Sequence, residues 1–233
     1  EKELNIAKIE LVGNEWQELG VSPITEDTYT REDRIFSIAV INTEDNADYI
    51  PPKGVKGEYD RINEIQSKEQ SLVLKFDSLK VGNKATAQKN LISLTGDRAK
   101  SFLIYDKMKM YVYGKSSDWI QADNSDVNIF FRFGLGNDYY EITQPVFEGW
   151  DEQLNRNKIE LDLNWLTKLK VQNQENVSKF SENDTLEVEN DLKTYYFRDE
   201  YKDTTGIITI KGQPSLSRIQ YFQAGVINNS ESV

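Results

Sequence analysis

The stretch DVNIFFRFGLGNDYYEITQPV, residues 126–146, decides the fold class. In its first half every second residue is apolar, namely Val127, Ile129, Phe131 and Phe133. Residues 134–138 (GLGND) form a Gly-rich link to a second alternating run through Tyr140 and Ile142. Period-two alternation is typical of strands, and a short Gly-containing link between two such runs predicts a β-hairpin. We therefore predict two central strands of a sandwich, which serve as a wall.

Eight further runs raise the predicted number of strands to about ten. They are residues 5–12, 34–42, 71–79, 84–92, 105–114, 157–165, 206–212 and 218–228. The run 34–42 is dense in apolar residues, which is typical of a strand covered on both faces. The run 84–92 is a weaker strand candidate.

Few segments fall outside this pattern. Residues 45–60, with their Pro-Pro pair and two glycines, predict a loop. Residues 61–70 are polar and favour a short helical turn, and the run 157–165 is expected to lead into another. Residues 171–193 are polar throughout and predict a long loop.

Strands that follow one another without intervening helices predict an all-β fold. We predict a jelly-roll-like antiparallel β-sandwich with long polar loops. An immunoglobulin-like sandwich would need only about 100 residues. Residues 1–233 are expected to form one such domain and to be a fragment of a larger protein.

Composition excludes several classes of function. The net charge of −11 argues against nucleic acid and anionic membrane surfaces as partners, because both require a basic stripe. The chain has no histidine and no cysteine, so a Ser-His-Asp or Cys-His site cannot form. No apolar run approaches the roughly 20 residues of a membrane helix.

Several phrases resemble one known family. The loop DNADYIPPKGVKGEYD (45–60) is similar to its Y-x-P-P-G-V loop, and EQSLVLKFDSL (69–79) to its NEQSL strand. YDKMKMYVYG (105–114), FFRFGLGNDYYEITQPV (130–146) and KGQPSLSRIQYFQAGVINN (211–229) resemble three further strands or hairpins, in the family's order. The family is SprA/Sov, the outer-membrane translocon of the type IX secretion system, which serves gliding motility in Bacteroidetes.

The resemblance implies a non-catalytic, soluble module of an outer-membrane protein that exports folded cargo. It implies secreted cargo proteins or translocon subunits as partners, a position on the extracellular or periplasmic side of the outer membrane, and a monomeric module. It carries over no catalytic, cofactor-binding or metal-binding residues. Departures from the family pattern, such as Gln213 for Asn and Ile227 for Arg, leave the strand framework unchanged.

Two groups of residues are candidates for a ligand site. Asp118, Asp123 and Asp126, with Asn124, could bind a structural calcium, but they lack the spacing of a calcium loop, so solvated acids are the simpler interpretation. A carbohydrate-binding module is the alternative function, and Trp119 and Trp150 lie in polar stretches where they could stack on sugars. Of the four tryptophans, which are Trp16, Trp119, Trp150 and Trp165, the last is predicted to lie in the core.

Carboxylate chemistry is the weakest hypothesis. Glu141 and Glu160 lie in predicted strands and could face each other as in glycosidases, but among 39 acidic residues such a pair is expected by chance. Arg132 and Glu141 are expected to form a cross-strand ion pair. The link 134–138 is not a phosphate loop, because no helix follows it.

The leading hypothesis is a structural and protein-interaction domain. Aromatic residues are enriched at protein interfaces, and those on the polar sides of the predicted strands are the candidates for contact. They are Tyr111, Tyr113, Phe130 and Tyr139.

Overall fold

A computed structural model describes residues 16–57, 59–61, 64–91, 99–115, 120, 125–171, 185–199 and 204–230. The strands are β1 (Trp16–Pro23), β2 (Phe36–Asn42), β3 (Tyr59–Asp60), β4 (Ile65–Gln66), β5 (Gln70–Phe76), β6 (Asn83–Asn90), β7 (Lys107–Tyr111), β8 (Val127–Leu135), β9 (Asp138–Pro145), β10 (Lys158–Asp162), β11 (Thr185–Glu189), β12 (Leu192–Asp199), β13 (Thr204–Lys211) and β14 (Tyr221–Asn228). One helix, α1 (Leu163–Val171), follows β10. The predicted strand at 5–12 lies outside the described residues.

Eight strands form one antiparallel sheet in the order β1-β6-β14-β8-β9-β13-β12-β11. The predicted hairpin, β8 and β9, occupies the two central positions of this sheet. Its two-residue turn places Gly136 at φ +59°, a conformation that glycine adopts without steric cost at the first position of such a turn. The link 134–138 is therefore a hairpin connection, as predicted.

One face of this sheet, here called the core face, is apolar. The row of side chains through Phe131 crosses seven strands and consists of Ala87, Ala224, Phe131, Ile142, Ile208, Tyr195 and Leu186. All of them are buried in one hydrophobic cluster. Side chains alternate between the two faces along each strand. The residues that precede and follow each member of this row therefore project from the opposite face, here called the outer face.

A second, smaller layer packs on the core face. β7 pairs with β10, and β2 pairs with β5, each as a two-stranded sheet. Ile159 and Leu161 of β10 are buried in the same cluster, and Leu72, Leu74 and Phe76 of β5 pack against it. The prediction of an all-β antiparallel sandwich is confirmed, with layers of unequal size.

Helix α1 begins earlier than the strand pattern predicts. The predicted strand 157–165 ends at Asp162, whose carboxylate accepts a hydrogen bond from the backbone N–H of Trp165 at 2.9 Å. This is N-capping, which stabilises a helix start by about 1 kcal/mol. Leu163, Leu166 and Leu169 then recur at helical spacing and are all buried. The strand prediction for 163–165 is therefore wrong.

Two other polar segments form strands where none was predicted. Part of the predicted loop 171–193 is a hairpin of β11 and β12, and the rest of it, 172–184, lies outside the described residues. Leu186 and Val188 alternate with acidic residues there, so the high polarity concealed a period of two. In 61–70 the described residues form a turn and the short strand β4, so the expected helical turn is wrong there.

The predicted burial of two strands was wrong. β2 was expected to be covered on both faces, yet Val40 is 55% exposed because β2 belongs to the thin second layer. The run 84–92 was the weaker candidate, yet β6 lies inside the main sheet, and its Ala85 and Ala87 are fully buried. Small side chains gave this strand a weak pattern and allow it to pack closely.

Candidate interaction surface

The outer face of the main sheet carries a charged cluster, defined here as Asp27, Lys84, Arg132 and Glu141. Lys84 and Arg132 are buried, whereas Asp27 is 44% exposed. Arg132 and Glu141 are register neighbours, and Nε of Arg132 donates a hydrogen bond to Oε2 of Glu141 at 2.7 Å. Nη1 of Arg132 donates to both carboxylate oxygens of Asp27 at 3.1 Å. Nζ of Lys84 lies 2.6 Å from Oδ1 of Asp27. The cross-strand ion pair is thus present, and it is buried.

Electrostatics within the charged cluster favour the ionised forms. Burial acts to raise the pKa of Asp27, but hydrogen bonds from Lys84 and the charges of Arg132 and Lys84 outweigh it and lower the pKa to about 2. Burial acts to lower the pKa of Arg132, but the carboxylate of Glu141 and other nearby charges raise it. The arginine therefore stays charged and the aspartate stays ionised at neutral pH.

Polar and aromatic neighbours complete the outer face. The ring centroid of Tyr139 lies 3.9 Å from Cζ of Arg132, a cation–π contact. In the same row, Nε2 of Gln223 donates to Oε1 of Gln88 at 2.9 Å. Phe130 is 1% exposed and lies across Gly225, where a Cβ atom would meet its ring at 2.4 Å.

The chemistry available to the charged cluster is structural. A general acid or base at neutral pH needs a pKa near 7. Here the pKa of Asp27 is about 2, and burial raises the pKa of Tyr139 to about 12. These groups hold β6, β8 and β9 to the segment that carries Asp27.

A second feature is the exposed side of β7, called the β7 surface and defined as Lys107, Lys109, Tyr111 and Tyr113. Tyr111 is 39% and Tyr113 is 54% exposed. Met108 and Met110, which alternate with the lysines and Tyr111 along β7, pack against the core. Alternation in 105–114 is therefore as predicted. The Tyr113 ring contacts Trp150 edge-on at 5.1 Å, and the Trp150 indole N–H donates to the backbone oxygen of Ile50 at 3.0 Å.

Three lysines surround one carboxylate beside these aromatic side chains. Glu160 of β10 lies 2.8 Å from Nζ of Lys107, 3.1 Å from that of Lys158 and 3.8 Å from that of Lys109. Hydrogen bonds from Lys107 and Lys158, with the nearby charges, lower the pKa of Glu160 to about 2. In a chain of net charge −11, this patch is locally basic.

The structure divides the four predicted contact aromatics into two pairs. Tyr111 and Tyr113 are exposed as expected. Phe130 and Tyr139 are buried, at 1% and 8% exposure, so the prediction that they could meet a partner is wrong. They lie on the outer face, which the charged cluster helps to bury.

The proposed carboxylate pair does not form. Glu141 lies on the outer face of the main sheet, bonded to Arg132. Glu160 lies on the far side of the second layer, because its neighbours Ile159 and Leu161 face the core cluster. The two carboxylates therefore lie on opposite sides of the domain and cannot act on one substrate.

Trp150 and its aromatic neighbour Tyr113 do not form a flat sugar-stacking platform. Trp150 and Tyr113 meet at an interplanar angle of 68°, whereas stacking on a sugar requires coplanar rings. Trp16 and Trp165 are half-buried and pack against the core, as predicted for Trp165. Trp119 lies outside the described residues.

The calcium hypothesis falls mostly on undescribed residues, because Asp118, Asp123 and Asn124 lie outside the described part of the chain. Asp126 is half-buried, and its backbone oxygen accepts a hydrogen bond from Asn229 at 2.9 Å. Among the described residues, no group of three or more acidic side chains is placed to hold a metal ion. Within that same part, no helix has the length and hydropathy needed to cross a membrane.

Sequence reasoning missed Asp27 and Lys84. Asp27 lies in a loop 57 residues before Lys84 and 105 before Arg132, so no local pattern links the three. Lys84 offered one signal, a lysine at the start of a strand whose next residues are small and apolar. A buried lysine requires a carboxylate partner.

Residues 1–233 match the model of the SprA_N family, described as motility related/secretion protein. No curated protein matches the chain. A match over the whole chain indicates a role in motility or secretion, in the cell envelope, and the family is not a known enzyme family.

Proposed function

The chain belongs to the SprA_N family of motility-related and secretion proteins, and from this we propose that it is a non-catalytic module of a type IX secretion outer-membrane translocon. It acts as a rigid scaffold and as a protein-interaction surface for protein export and gliding motility. Its partners are secreted cargo proteins or other translocon subunits. The module lies on the extracellular or periplasmic side of the outer membrane.

The observation that carries the interaction role is the exposure of Tyr111, which ends β7, and of Tyr113, which lies two residues beyond it. The other side of β7 is anchored in the core. Exposed tyrosines on a rigid element bind with little loss of conformational entropy, since the ring has only two side-chain torsions. Trp150, bonded to the loop at Ile50, holds the neighbouring backbone in place. Aromatic residues and adjacent lysines are a composition suited to a protein partner.

Substitution of the two tyrosines tests the proposal. Tyr111→Asp and Tyr113→Asp, introduced in the full-length protein in cells, should reduce cargo secretion and gliding, because each places a negative charge in the contact surface. Both positions are exposed, but Tyr113 also contacts Trp150. The free energy of unfolding of the 233-residue chain should therefore fall by no more than about 1.5 kcal/mol. Secretion is measured as cargo in the medium.

Tyr59→Asp is the matched control. Tyr59 is 53% exposed, close to the exposure of Tyr113, but belongs to the separate two-stranded sheet of β3 and β4. It should leave secretion unchanged. Normal secretion and gliding by stably folded Tyr111→Asp and Tyr113→Asp proteins would contradict an interaction role for this surface.

A further inference from the structure

In the described part of the chain, one edge of the β7 backbone has no strand beside it. At the ends of the β7–β10 pair, the backbone N–H of Val112 donates to the backbone oxygen of Asn157 at 3.1 Å. The backbone N–H of Leu163 donates to the backbone oxygen of Asp106 at 2.9 Å. Hydrogen-bonded and non-hydrogen-bonded positions alternate in an antiparallel pair, so Met108 and Met110 also point their backbone groups toward β10. Those of Lys107, Lys109 and Tyr111 point away from β10.

Within the described part of the chain, β7 pairs with β10 alone. A strand edge with free N–H and C=O groups is a template for another strand, and proteins usually protect such an edge. Lysines on the edge are one such protection, because they repel indiscriminate pairing. Glu160 offsets only part of the charge of the three lysines around it. The positive charge that remains favours a partner of opposite charge.

The side chains of β7 specify which strand would fit. On the exposed side lie Lys107 and Lys109, 54% and 53% exposed, and then Tyr111. On the core side lie Met108 and Met110, only partly buried at the rim of the hydrophobic cluster. A strand added here places alternate residues beside the lysines and the remaining residues beside the methionines.

We propose that β7 binds an extended segment of a partner protein as an added β-strand, and that this segment alternates acidic with apolar residues. Its acidic side chains pair with Lys107 and Lys109, and its apolar side chains extend the core beside Met108 and Met110. Main-chain hydrogen bonds to Lys107, Lys109 and Tyr111 supply affinity, and the alternating side chains supply specificity. This inference rests on the proposed interaction role of the β7 surface and adds the mode of binding.

A synthetic probe tests the pattern directly. A fluorescently labelled peptide with alternating Glu and Val is titrated with the 233-residue chain, and its anisotropy is followed. One control peptide has the same composition, with its acidic residues grouped at one end. The other control peptide has Lys in place of each Glu. The alternating acidic peptide should bind at least about tenfold more tightly than either control, since only it satisfies both sides of β7 at once.

Two substitutions at one position separate backbone from charge. Lys109→Pro removes the outward N–H while leaving the bonds to β10, which is where an edge strand tolerates proline. It should weaken binding by about tenfold or more, the value of a lost main-chain hydrogen bond and its contact. Lys109→Gln keeps that N–H and removes the charge, and should weaken binding by about two- to fivefold.

Amide hydrogen exchange on the unmodified chain supplies a readout that survives if the proline variant fails to fold. Saturating peptide should slow exchange at Lys107, Lys109 and Tyr111, and leave Met108 and Met110 unchanged. Equal binding of the grouped-acid peptide, or no protection at these three amides, would overturn the inference. So would self-association of the chain through this edge in place of peptide binding, seen as a mass that rises with concentration.

The inference can fail while the proposed function stands. A secretion defect in Tyr113→Asp with no binding of the alternating peptide would reject strand addition and keep the interaction surface. Normal secretion in the tyrosine variants would reject the interaction role itself.

Discussion

The strand pairs β8–β9 and β7–β10 share the same alternating pattern but have different second faces. In β8–β9 the side opposite the core is also buried, with Arg132 and Glu141 at 7% and 13% side-chain exposure. In β7–β10 the corresponding side is open, with Lys107 and Lys109 at 54% and 53%. Each side carries lysine or arginine around a carboxylate, so the composition of the two faces is similar.

Alternation along a strand therefore predicts which side chains share a face, but it does not predict whether other segments cover that face. The outer side of β8–β9 meets the segment carrying Asp27, and burial makes its charges part of the structure. The outer side of β7–β10 meets solvent, where ion pairs are worth little and the surface is available to a partner. Predictions that change matched residues in the two pairs test this contrast.

Removal of a core-facing side chain should give the largest difference. Phe131→Ala in β8 should lower the free energy of unfolding by about 3–5 kcal/mol, because Phe131 is 7% exposed and its loss leaves a cavity. Met108→Ala in β7 should cost about 1 kcal/mol, since Met108 is only partly buried and its site is open to solvent. Chemical denaturation measures both. Equal costs would mean that the second layer is packed as tightly as the main sheet.

Removal of one carboxylate charge from each pair is the next test. Glu141→Gln should lower the free energy of unfolding by about 3 kcal/mol, because it weakens a buried ion pair with Arg132. This cost is at the lower end of the range for buried pairs, because Arg132 keeps Asp27 as a partner. Glu160→Gln should cost at most about 1 kcal/mol, because its lysine partners are exposed.

The double variant Arg132→Met with Glu141→Leu supplies the control. The loss in Glu141→Gln is expected because the charge of Arg132 stays buried without its carboxylate neighbour. Replacing both Arg132 and Glu141 by apolar residues should therefore recover most of the stability. A cost for Glu141→Gln no larger than that for Glu160→Gln would contradict the burial of the outer face.

Much of the sheet could be predicted because its strands follow the period of two in single stretches of sequence. The hairpin of β8 and β9 and the orientation of Met108 and Tyr111 needed nothing else. Helix α1 could have been found from Asp162 followed by leucines at spacings of three.

The candidate sites were harder to predict. The sequence does not distinguish Tyr113, exposed just beyond β7, from Tyr139, buried against Arg132. The surroundings of Tyr139 also include Lys211, which comes from the distant strand β13. Asp27 meets Lys84 and Arg132 only after three separate parts of the chain have come together. Long-range burial therefore decides which polar side chains are structural.

The pH dependence of stability gives the smallest and most specific test. The pKa of Asp27 is about 2 in the folded chain against 3.8 for a free side chain, and that of Glu160 is about 2 against 4.5. A folded-state pKa below the unfolded value stabilises the fold above the unfolded pKa, and this stabilisation is lost as pH falls toward the folded pKa. Both contributions should therefore disappear between about pH 4 and pH 2.

Salt should separate the two groups. Asp27 is 44% exposed, so its contribution is expected to be about 1 kcal/mol after solvent screening, but its partners Lys84 and Arg132 are buried and the effect should persist in about 0.5 M salt. Glu160 has exposed lysine partners, so its effect should vanish at that ionic strength. Unfolding of Asp27→Asn and Glu160→Gln, measured at about pH 6 and about pH 2 in low and high salt, checks both. Equal loss of the two effects in high salt would show that the charged cluster is as open to solvent as the β7 surface.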